Sequence, residues 1–166
     1  MKKIPVWEKQ ALFSLLCCAI QTGLAKVWES MGVKPDGVVG HSIGEVASAY
    51  LSKMLSFEEA IKVVYHRSHV QSKASGKGKM LAVGLSKQDA AKEIAGKEDK
   101  VSVAAINGPN LVTISGDKDA LEEIANDLDS RDIFHRFLVV DVPFHSHYME
   151  PLKDERSEEA SCRERV

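Results

Sequence analysis

Residues 37–51 read Gly-Val-Val-Gly-His-Ser-Ile-Gly-Glu-Val-Ala-Ser-Ala-Tyr-Leu, and they are the most informative stretch for the fold of the first part of the chain. The short apolar run 37–40 predicts a buried strand, and Gly44–Leu51 directly after it predicts a helix. Upstream, apolar residues recur at spacings of three and four and Gly32 follows them, which predicts a long, well-buried helix over about 8–31. Helix, strand, sharp turn and helix in this order indicate an α/β fold.

The second half of the chain shows a more regular alternation of elements. Ser56 and Glu59 match a capping box, which predicts a helix from there to about Ala74. From residue 80 the pattern predicts the order βαββαβ, with Ser86 and Asp117 as helix caps. This order is typical of a ferredoxin-like unit, which we expect as a small subdomain over 76–141. The predicted elements are 80–85, 87–95, 101–106, 111–115, 118–128 and 133–140.

Composition and charge exclude several classes of function. The 166 residues carry 22 Lys and Arg against 24 Asp and Glu, so the formal charge of −2 offers no electrostatic footprint for nucleic acid or an anionic membrane. The longest nearly uninterrupted apolar run, 11–20, is shorter than the roughly 20 residues that a bilayer crossing needs. Three cysteines without framework spacing predict reduced thiols. We therefore expect a cytoplasmic protein without a membrane-spanning segment.

The candidate nucleophile is Ser42, in the set Gly40-His41-Ser42-Ile43-Gly44 between the predicted strand and helix. This is the context of a nucleophile elbow, where flanking glycines allow a sharp turn that exposes the serine hydroxyl at a helix N-terminus. The backbone N–H of Ile43 points into the same space, where it can stabilise an oxyanion.

A serine hydroxyl needs a base, and His145 is the candidate among the six histidines. It follows Pro143, which ends the last predicted strand, so His145 lies on a connection between elements. His145 and His147 alternatively serve as polar loop residues. Because no Cys pair and no HExxH spacing accompanies them, we predict no metal site.

Arg67 lies on or beside the apolar face of its predicted helix, which Ala60, Val63 and Val64 form. A guanidinium among apolar neighbours requires a carboxylate or phosphate partner. Two alternatives remain open at this point. Arg67 forms an internal ion pair with a protein carboxylate, or it holds an anionic substrate.

Several stretches occur in a specific order along the chain, at residues 40–45, 105–109, 114–117 and 144–147, with Arg67 placed 25 residues after Ser42. They read Gly-His-Ser-Ile-Gly-Glu, Ala-Ile-Asn-Gly-Pro, Ile-Ser-Gly-Asp and Phe-His-Ser-His. Together, from about residue 10 to 152, they resemble the acyltransferase domain of type I polyketide and fatty acid synthases, kin to malonyl-CoA:ACP transacylase.

The resemblance implies an α/β-hydrolase-like large subdomain with the ferredoxin-like subdomain inserted into it. It also implies that an acyl-CoA acylates Ser42 and that the phosphopantetheine thiol of an acyl carrier protein then removes the acyl group. His145 serves as the base and then as the acid, and the Ile43 N–H as an oxyanion donor. No bound cofactor is implied, since CoA and the phosphopantetheine arm are substrates.

The resemblance further assigns three residues to the substrate. Arg67 pairs with the free carboxylate of a malonyl or methylmalonyl group, and His41 contacts the substrate beside the nucleophile. Phe144, directly before His145, resembles the pattern of malonyl-selecting domains. The implied partners are malonyl-CoA, an acyl carrier protein and the other domains of a multidomain synthase.

The sequence also departs from this family. The family begins with a strand bearing a Gly-Gln-Gly motif and continues past the histidine into further sheet segments, and neither has a counterpart here. We therefore expect a domain truncated at both ends, with impaired activity. The expected organisation is a large-subdomain part over 1–75, the small subdomain over 76–141, a return to the large subdomain over 142–155, and a non-native or disordered tail over 156–166.

Two other functions fit parts of the sequence. A serine esterase or thioesterase of the α/β-hydrolase type shares the elbow but gives no reason for Arg67. A non-catalytic ferredoxin-like binding module fits the second half but leaves Ser42 unexplained.

Overall fold

The computed structural model describes residues 5–153, and the side chains of all of these except residues 6 and 7. The chain divides into two compact units, Met1–Ser72 and Lys73–Val166. The sequence places this boundary slightly later, between residues 75 and 76. Residues 142–153 group with the second unit, and the return of 142–155 to a large subdomain stays a prediction. The predicted tail over 156–166 lies outside the described residues.

The first unit consists of three helices, α1 (Val6–Ser30), α2 (Gly44–Leu51) and α3 (Phe57–Ser72). All three contact one another. Small and β-branched side chains from the three helices form their shared core, namely Cys18, Val46, Ala47, Ala60 and Val64. Small side chains at these contacts let the helix backbones approach closely, which fixes α3 beside α2.

The capping box at the start of α3 is confirmed. The Ser56 N–H donates to Glu59 Oε2 at 2.7 Å, and the Glu59 N–H donates to Ser56 Oγ at 3.2 Å. Two N–H groups that a helix start leaves without partners are thereby satisfied. The register of α3 relative to the preceding loop therefore follows from two residues three positions apart.

The prediction that the first helix is well buried is wrong for much of its surface. Ala11, Ser14, Cys18 and Thr22 are buried, but eight apolar side chains along α1 and at its C-cap are between 49% and 68% exposed. These residues, called here the α1 apolar face, are Leu12, Phe13, Leu16, Ile20, Leu24, Val27, Trp28 and Met31. The helix is apolar nearly all round, while α2 and α3 cover only one side of it.

The predicted strand over 37–40 is also absent. These residues have no regular secondary structure, and the Val39 side chain is 95% exposed. An apolar run becomes a strand only where a neighbouring strand accepts and donates its backbone hydrogen bonds. No strand within residues 5–153 pairs with this segment.

One helix in the described part of the chain, over Glu8–Ser30, is long and apolar enough by length and composition to cross a membrane. The sequence predicts no membrane-spanning segment. Core helices of soluble proteins and signal sequences pass the same test, so the finding identifies a long apolar helix and nothing more specific.

The second unit is built on a four-stranded antiparallel sheet with strand order β2-β3-β1-β4. The pairing β1–β3 runs from Lys79 opposite Gly116 to Val83 opposite Val112. After β4 the chain reaches a 3₁₀ helix over His147–Leu152. The elements before it are β1 (Lys79–Val83), α4 (Lys87–Glu93), β2 (Val101–Gly108), β3 (Leu111–Gly116), α5 (Lys118–Ser130) and β4 (His135–Phe137).

The core of this unit lies between the sheet and its two helices. Leu81 and Ile114 from the strands, and Leu121 and Leu128 from α5, are fully buried there. Ser86 caps α4 as predicted, since its Oγ accepts from the Asp89 N–H at 3.1 Å. The unit therefore has a hydrophobic core of its own.

The last strand is shorter than the predicted 133–140. β4 pairs with β1 over three residues, and beyond it the Leu138 N–H donates to Met80 O at 2.9 Å before pairing ends. The Val139 side chain is fully exposed. The apolar sequence is compatible with a longer strand, but in this register only Met80 and Lys79 of β1 remain to face residues 138 and 139, and residue 140 has no partner on β1.

Replacing Leu16 and Leu24 together by Gln tests the exposure of the α1 apolar face. We expect the free energy of unfolding, measured by urea denaturation, to change by less than about 1 kcal/mol, because both side chains are already more than half exposed. We also expect less self-association in sedimentation velocity, since large exposed apolar patches drive it.

Cys18→Gln on the same helix is the matched control. Cys18 is 1% exposed, and a buried polar amide there costs at least about 2 kcal/mol. Equal losses of stability in the double variant and in this control would show that the α1 apolar face is buried.

Candidate active site

Ser42 lies at a sharp turn between the extended segment 37–40 and α2. Its φ is +54°, in the left-handed region that non-glycine residues adopt at a cost of about 1–3 kcal/mol. A Cβ on Gly40 would lie 2.3 Å from the carbonyl carbon and oxygen of Gly44 and 2.4 Å from the nitrogen of Glu45. Only glycine fits there, so Gly40 allows the turn to fold back onto the start of α2.

The prediction that both flanking glycines allow the sharp turn is wrong for the second one, Gly44. A Cβ on Gly44 would meet nothing closer than the Gln21 side chain at 3.8 Å, and Gly44 has no positive φ. The sharp turn therefore depends on Gly40 and on the left-handed Ser42.

The backbone around Ser42 begins α2 directly. The Gly44 N–H donates to His41 O at 3.0 Å, and the Glu45 N–H donates to Ser42 O at 3.1 Å. Within the described part of the chain, the N–H of Ile43 donates to no backbone carbonyl. It therefore remains available beside the serine hydroxyl, as an oxyanion donor requires.

Arg67 contacts the serine directly. Its Nη2 donates a hydrogen bond to Ser42 Oγ at 2.9 Å, and both side chains are half-buried. Arg67 lies on the same face of α3 as Ala60 and Val64, which are buried in the shared helix core. The packing of α3 therefore brings a guanidinium to the nucleophile. Sequence reasoning predicted the face of Arg67 but not this contact.

His145 lies in the second unit, on the connection between β4 and the 3₁₀ helix. Its φ is +58° and its side chain is exposed. Phe144 before it is half-buried, with its N–H donating to Val142 O at 3.0 Å. Ser146 after it is buried and donates from Oγ to Pro143 O at 2.6 Å. Both neighbours of His145 are thus held by local hydrogen bonds.

Side chains of two further residues, one on β2 and one at the start of α5, hold this segment to the rest of the second unit. Ser102 Oγ donates to His145 O at 2.9 Å. Asp117 Oδ1 accepts from Tyr148 OH at 2.7 Å and lies 3.3 Å from His147 Nε2. The prediction that Asp117 caps α5 is right for its position but wrong for its side chain, which makes no capping hydrogen bond.

Sequence reasoning missed Ser102 and Tyr148 as neighbours of the candidate base, because 43 residues separate Ser102 from His145. The sequence signal for an ordered loop here is the run of polar residues His145-Ser146-His147 after Phe144. The hydrogen bond that the Tyr148 hydroxyl donates to Asp117, followed by burial, raises the pKa of Tyr148 above its ordinary value.

The structure thus distributes the predicted site residues over both units. Ser42, Ile43, the exposed His41 and Arg67 belong to the first unit, and Arg67 contacts Ser42. Phe144 and His145 belong to the second unit. Among residues 5–153, no group of three or more His, Cys, Asp or Glu side chains is arranged to hold a metal ion.

Comparisons with known proteins agree on one family. The acyl transferase domain family matches residues 10–164. The chain is 45% identical over 145 residues to a highly reducing polyketide synthase of Talaromyces stipitatus, covering 84% of this chain and 6% of that protein.

Solved structures give the same result. The acyltransferase domain from the second module of the salinomycin polyketide synthase is similar with a TM-score of 0.84 and 36% identity, over 90% of this chain and 35% of that one. The malonyl-CoA:ACP transacylase of Synechocystis sp. is similar with a TM-score of 0.80 and 26% identity, over 92% of this chain and 51% of that one. The chain therefore spans about half or less of the length of these proteins.

Gly40→Ala tests the constraint at the turn. We expect a loss of stability of at least about 2 kcal/mol in urea denaturation, because backbone atoms of α2 occupy the space that the new Cβ needs.

Gly44→Ala is the matched control. The new Cβ has room there, and alanine is favoured over glycine inside a helix by up to about 1 kcal/mol, so we expect no loss of stability. Equal stabilities of the two variants would contradict the close approach at Gly40.

Proposed function

The chain belongs to the acyl transferase domain family, and from this premise we propose that it transfers malonyl or methylmalonyl groups from CoA to an acyl carrier protein. The transfer proceeds through an ester on Ser42 and serves polyketide or fatty acid biosynthesis. The observation that carries this proposal is the hydrogen bond of Arg67 to Ser42 Oγ at 2.9 Å, which pairs a nucleophile with an anion-binding group.

The first step forms a bond between Ser42 Oγ and the thioester carbonyl carbon. His145 accepts the hydroxyl proton, and the Ile43 N–H donates to the oxyanion of the tetrahedral intermediate. The intermediate collapses by breaking the C–S bond, and His145 returns the proton to the departing CoA thiolate. In the second half-reaction the phosphopantetheine thiol gives its proton to His145 and its sulfur attacks the Ser42 ester carbonyl. The C–O bond to Ser42 then breaks, and His145 returns the proton to Ser42 Oγ. The left-handed turn at Ser42 and the available Ile43 N–H support this assignment.

Arg67 is proposed to hold the free carboxylate of the acyl group. This carboxylate is one substituted or unsubstituted methylene away from the carbonyl carbon that Ser42 attacks. A guanidinium that already contacts Ser42 Oγ is therefore within reach of the carboxylate once the ester has formed. Its planar fork of donors suits a carboxylate better than a lysine ammonium does.

Phe144 and His41 are proposed as substrate contacts. Phe144 is half-buried and precedes the candidate base directly, and we propose that it contributes an apolar wall of the acyl pocket. An apolar wall discriminates one methyl group by about 1–3 kcal/mol, and we propose a preference for malonyl over methylmalonyl on this basis. His41 is exposed beside the nucleophile.

The same proposal extends to the organisation and setting of the chain. The antiparallel sheet order β2-β3-β1-β4, with one helix after β1 and one after β3, supports a ferredoxin-like subdomain. We propose that the first unit is part of an α/β-hydrolase-like large subdomain. The polyketide synthase relatives support the other domains of a multidomain synthase and an acyl carrier protein as partners. No bound cofactor takes part, and the reaction takes place in the cytoplasm.

Intact-mass analysis after incubation with malonyl-CoA tests the acyl-enzyme. We expect a retained malonyl group on the chain and none on Ser42→Ala, because the ester has no other acceptor oxygen at the turn. Ser52→Ala, an exposed serine just after α2, is the matched control and should load normally. CoA release without retained mass would favour the hydrolase instead, and neither release nor retention would favour a binding module.

The Arg67 assignment is tested by comparing loading from malonyl-CoA with loading from acetyl-CoA. For Arg67→Ala we expect malonyl loading to fall roughly 10- to 100-fold and acetyl loading to change less than about threefold, since only malonyl carries the charged partner. Arg131→Ala removes an exposed arginine of the second unit that pairs with Glu93, and serves as the control. Equal losses for both substrates would exclude the carboxylate-binding role.

A further inference from the structure

The carboxylate of Asp117 is used in an unusual way for a residue at a helix N-terminus. An aspartate at this position ordinarily accepts from an N–H of the first turn. Here it makes no such bond, and Oδ1 instead accepts from Tyr148 OH at 2.7 Å and lies 3.3 Å from His147 Nε2. The side chain therefore connects the start of α5 to the segment directly after His145.

The backbone of Asp117 is itself fixed. Its N–H donates to Lys100 O at 2.9 Å. A Cβ on Gly116 would lie 2.0 Å from that same Lys100 oxygen, and the φ of Gly116 is +153°. The carboxylate thus projects from a junction that two strands of the sheet hold in place.

A second contact acts on His145 itself. Ser102 on β2 donates to the His145 carbonyl oxygen at 2.9 Å, which orients the peptide plane after the histidine. A non-glycine residue in the left-handed region keeps that conformation only when its surroundings hold it there. Ser102 acts on one side of this residue, and Asp117 holds the two residues that begin the 3₁₀ helix.

We propose that Asp117 and Ser102 are positioning residues that fix the backbone of residues 145–148 and thereby the direction in which the His145 imidazole points. The inference rests on the proposed function where it concerns catalysis, since it takes His145 as the base. Both residues act through the main chain and side chains of the loop. The rigid sheet of the second unit is in this way the support of the base.

The chemistry of Asp117 suits this role. The carboxylate oxygen accepts the phenol hydrogen bond, and this bond together with burial raises the pKa of Tyr148. The ring of His147 lies over that of Tyr148 with a centroid distance of 4.0 Å. Loss of the carboxylate therefore releases two adjacent side chains at once.

The first part of the test does not depend on activity. Histidine-labelled chain is prepared as the wild type, Asp117→Ala, Asp117→Asn and Ser102→Ala, and the imidazole resonance of His145 is assigned with His145→Gln. We expect this resonance to shift in Asp117→Ala and Ser102→Ala, and less in Asp117→Asn, which keeps an acceptor for Tyr148. Ser102→Thr keeps the hydroxyl and should restore the wild-type resonance.

Matched controls separate positioning from general effects of charge and stability. Asp119→Ala removes an equal charge from the exposed first turn of α5. Ser130→Ala removes an exposed bond from a serine hydroxyl to a backbone carbonyl in the same unit. Both controls should leave the His145 resonance unchanged. An unmoved resonance in both Asp117→Ala and Ser102→Ala would overturn the proposal, whatever the activity.

The second part measures malonyl loading against malonyl-CoA concentration. We expect Asp117→Ala and Ser102→Ala to lower the maximal loading rate roughly 10- to 100-fold at nearly unchanged half-saturating concentration, because a misplaced base slows the chemical step and spares binding. A shifted His145 resonance with normal loading would support the positioning of the loop and overturn His145 as the base. The two failures are therefore distinguishable.

Discussion

The close approach of Gly40 to the first turn of α2 is the constraint on which the candidate site depends. Backbone atoms of Gly44 and Glu45 occupy the space where a side chain at position 40 would lie. The chain can reverse there only with glycine, and the reversal places Ser42 in the left-handed region with its hydroxyl at the start of a helix. The local strain at Ser42 is offset by the packing of α2 against its neighbours.

The partner of that hydroxyl comes from helix packing. Ala60 and Val64 are buried where α3 contacts the other helices, and Arg67 follows on the same face. The capping box that begins α3 fixes the register from which Arg67 is counted. Because α3 is packed against the other helices, the backbone of Arg67 is held at a fixed position from which its guanidinium reaches Ser42 Oγ.

The second unit holds the segment of the proposed base in a different manner. Its sheet and two helices form a separate core, and the segment with His145 lies on the outside of it, held by side chains from β2 and from the start of α5. A functional loop on a rigid scaffold is a common arrangement, because the scaffold supplies stability while the loop supplies exposed polar groups. Here the scaffold contributes hydrogen bonds as well as attachment.

Features that depend on residues close together in the chain could be predicted from the sequence. The capping box of Ser56 and Glu59, the Ser86 cap, the helix Gly44–Leu51 and the order of elements after residue 79 all follow from spacings of two to four residues. Such interactions are local, so the residue types at these spacings are enough to predict them. Four other features follow from the tertiary structure. Residues 37–40 form no strand, and the α1 apolar face is exposed. Arg67 contacts Ser42, and the Asp117 carboxylate accepts from Tyr148 instead of capping α5. Each of these features depends on which residue, distant in the chain, lies close enough in the folded protein to act as a partner. A sequence pattern predicts what kind of group a residue can pair with, but it does not predict which distant residue lies beside it.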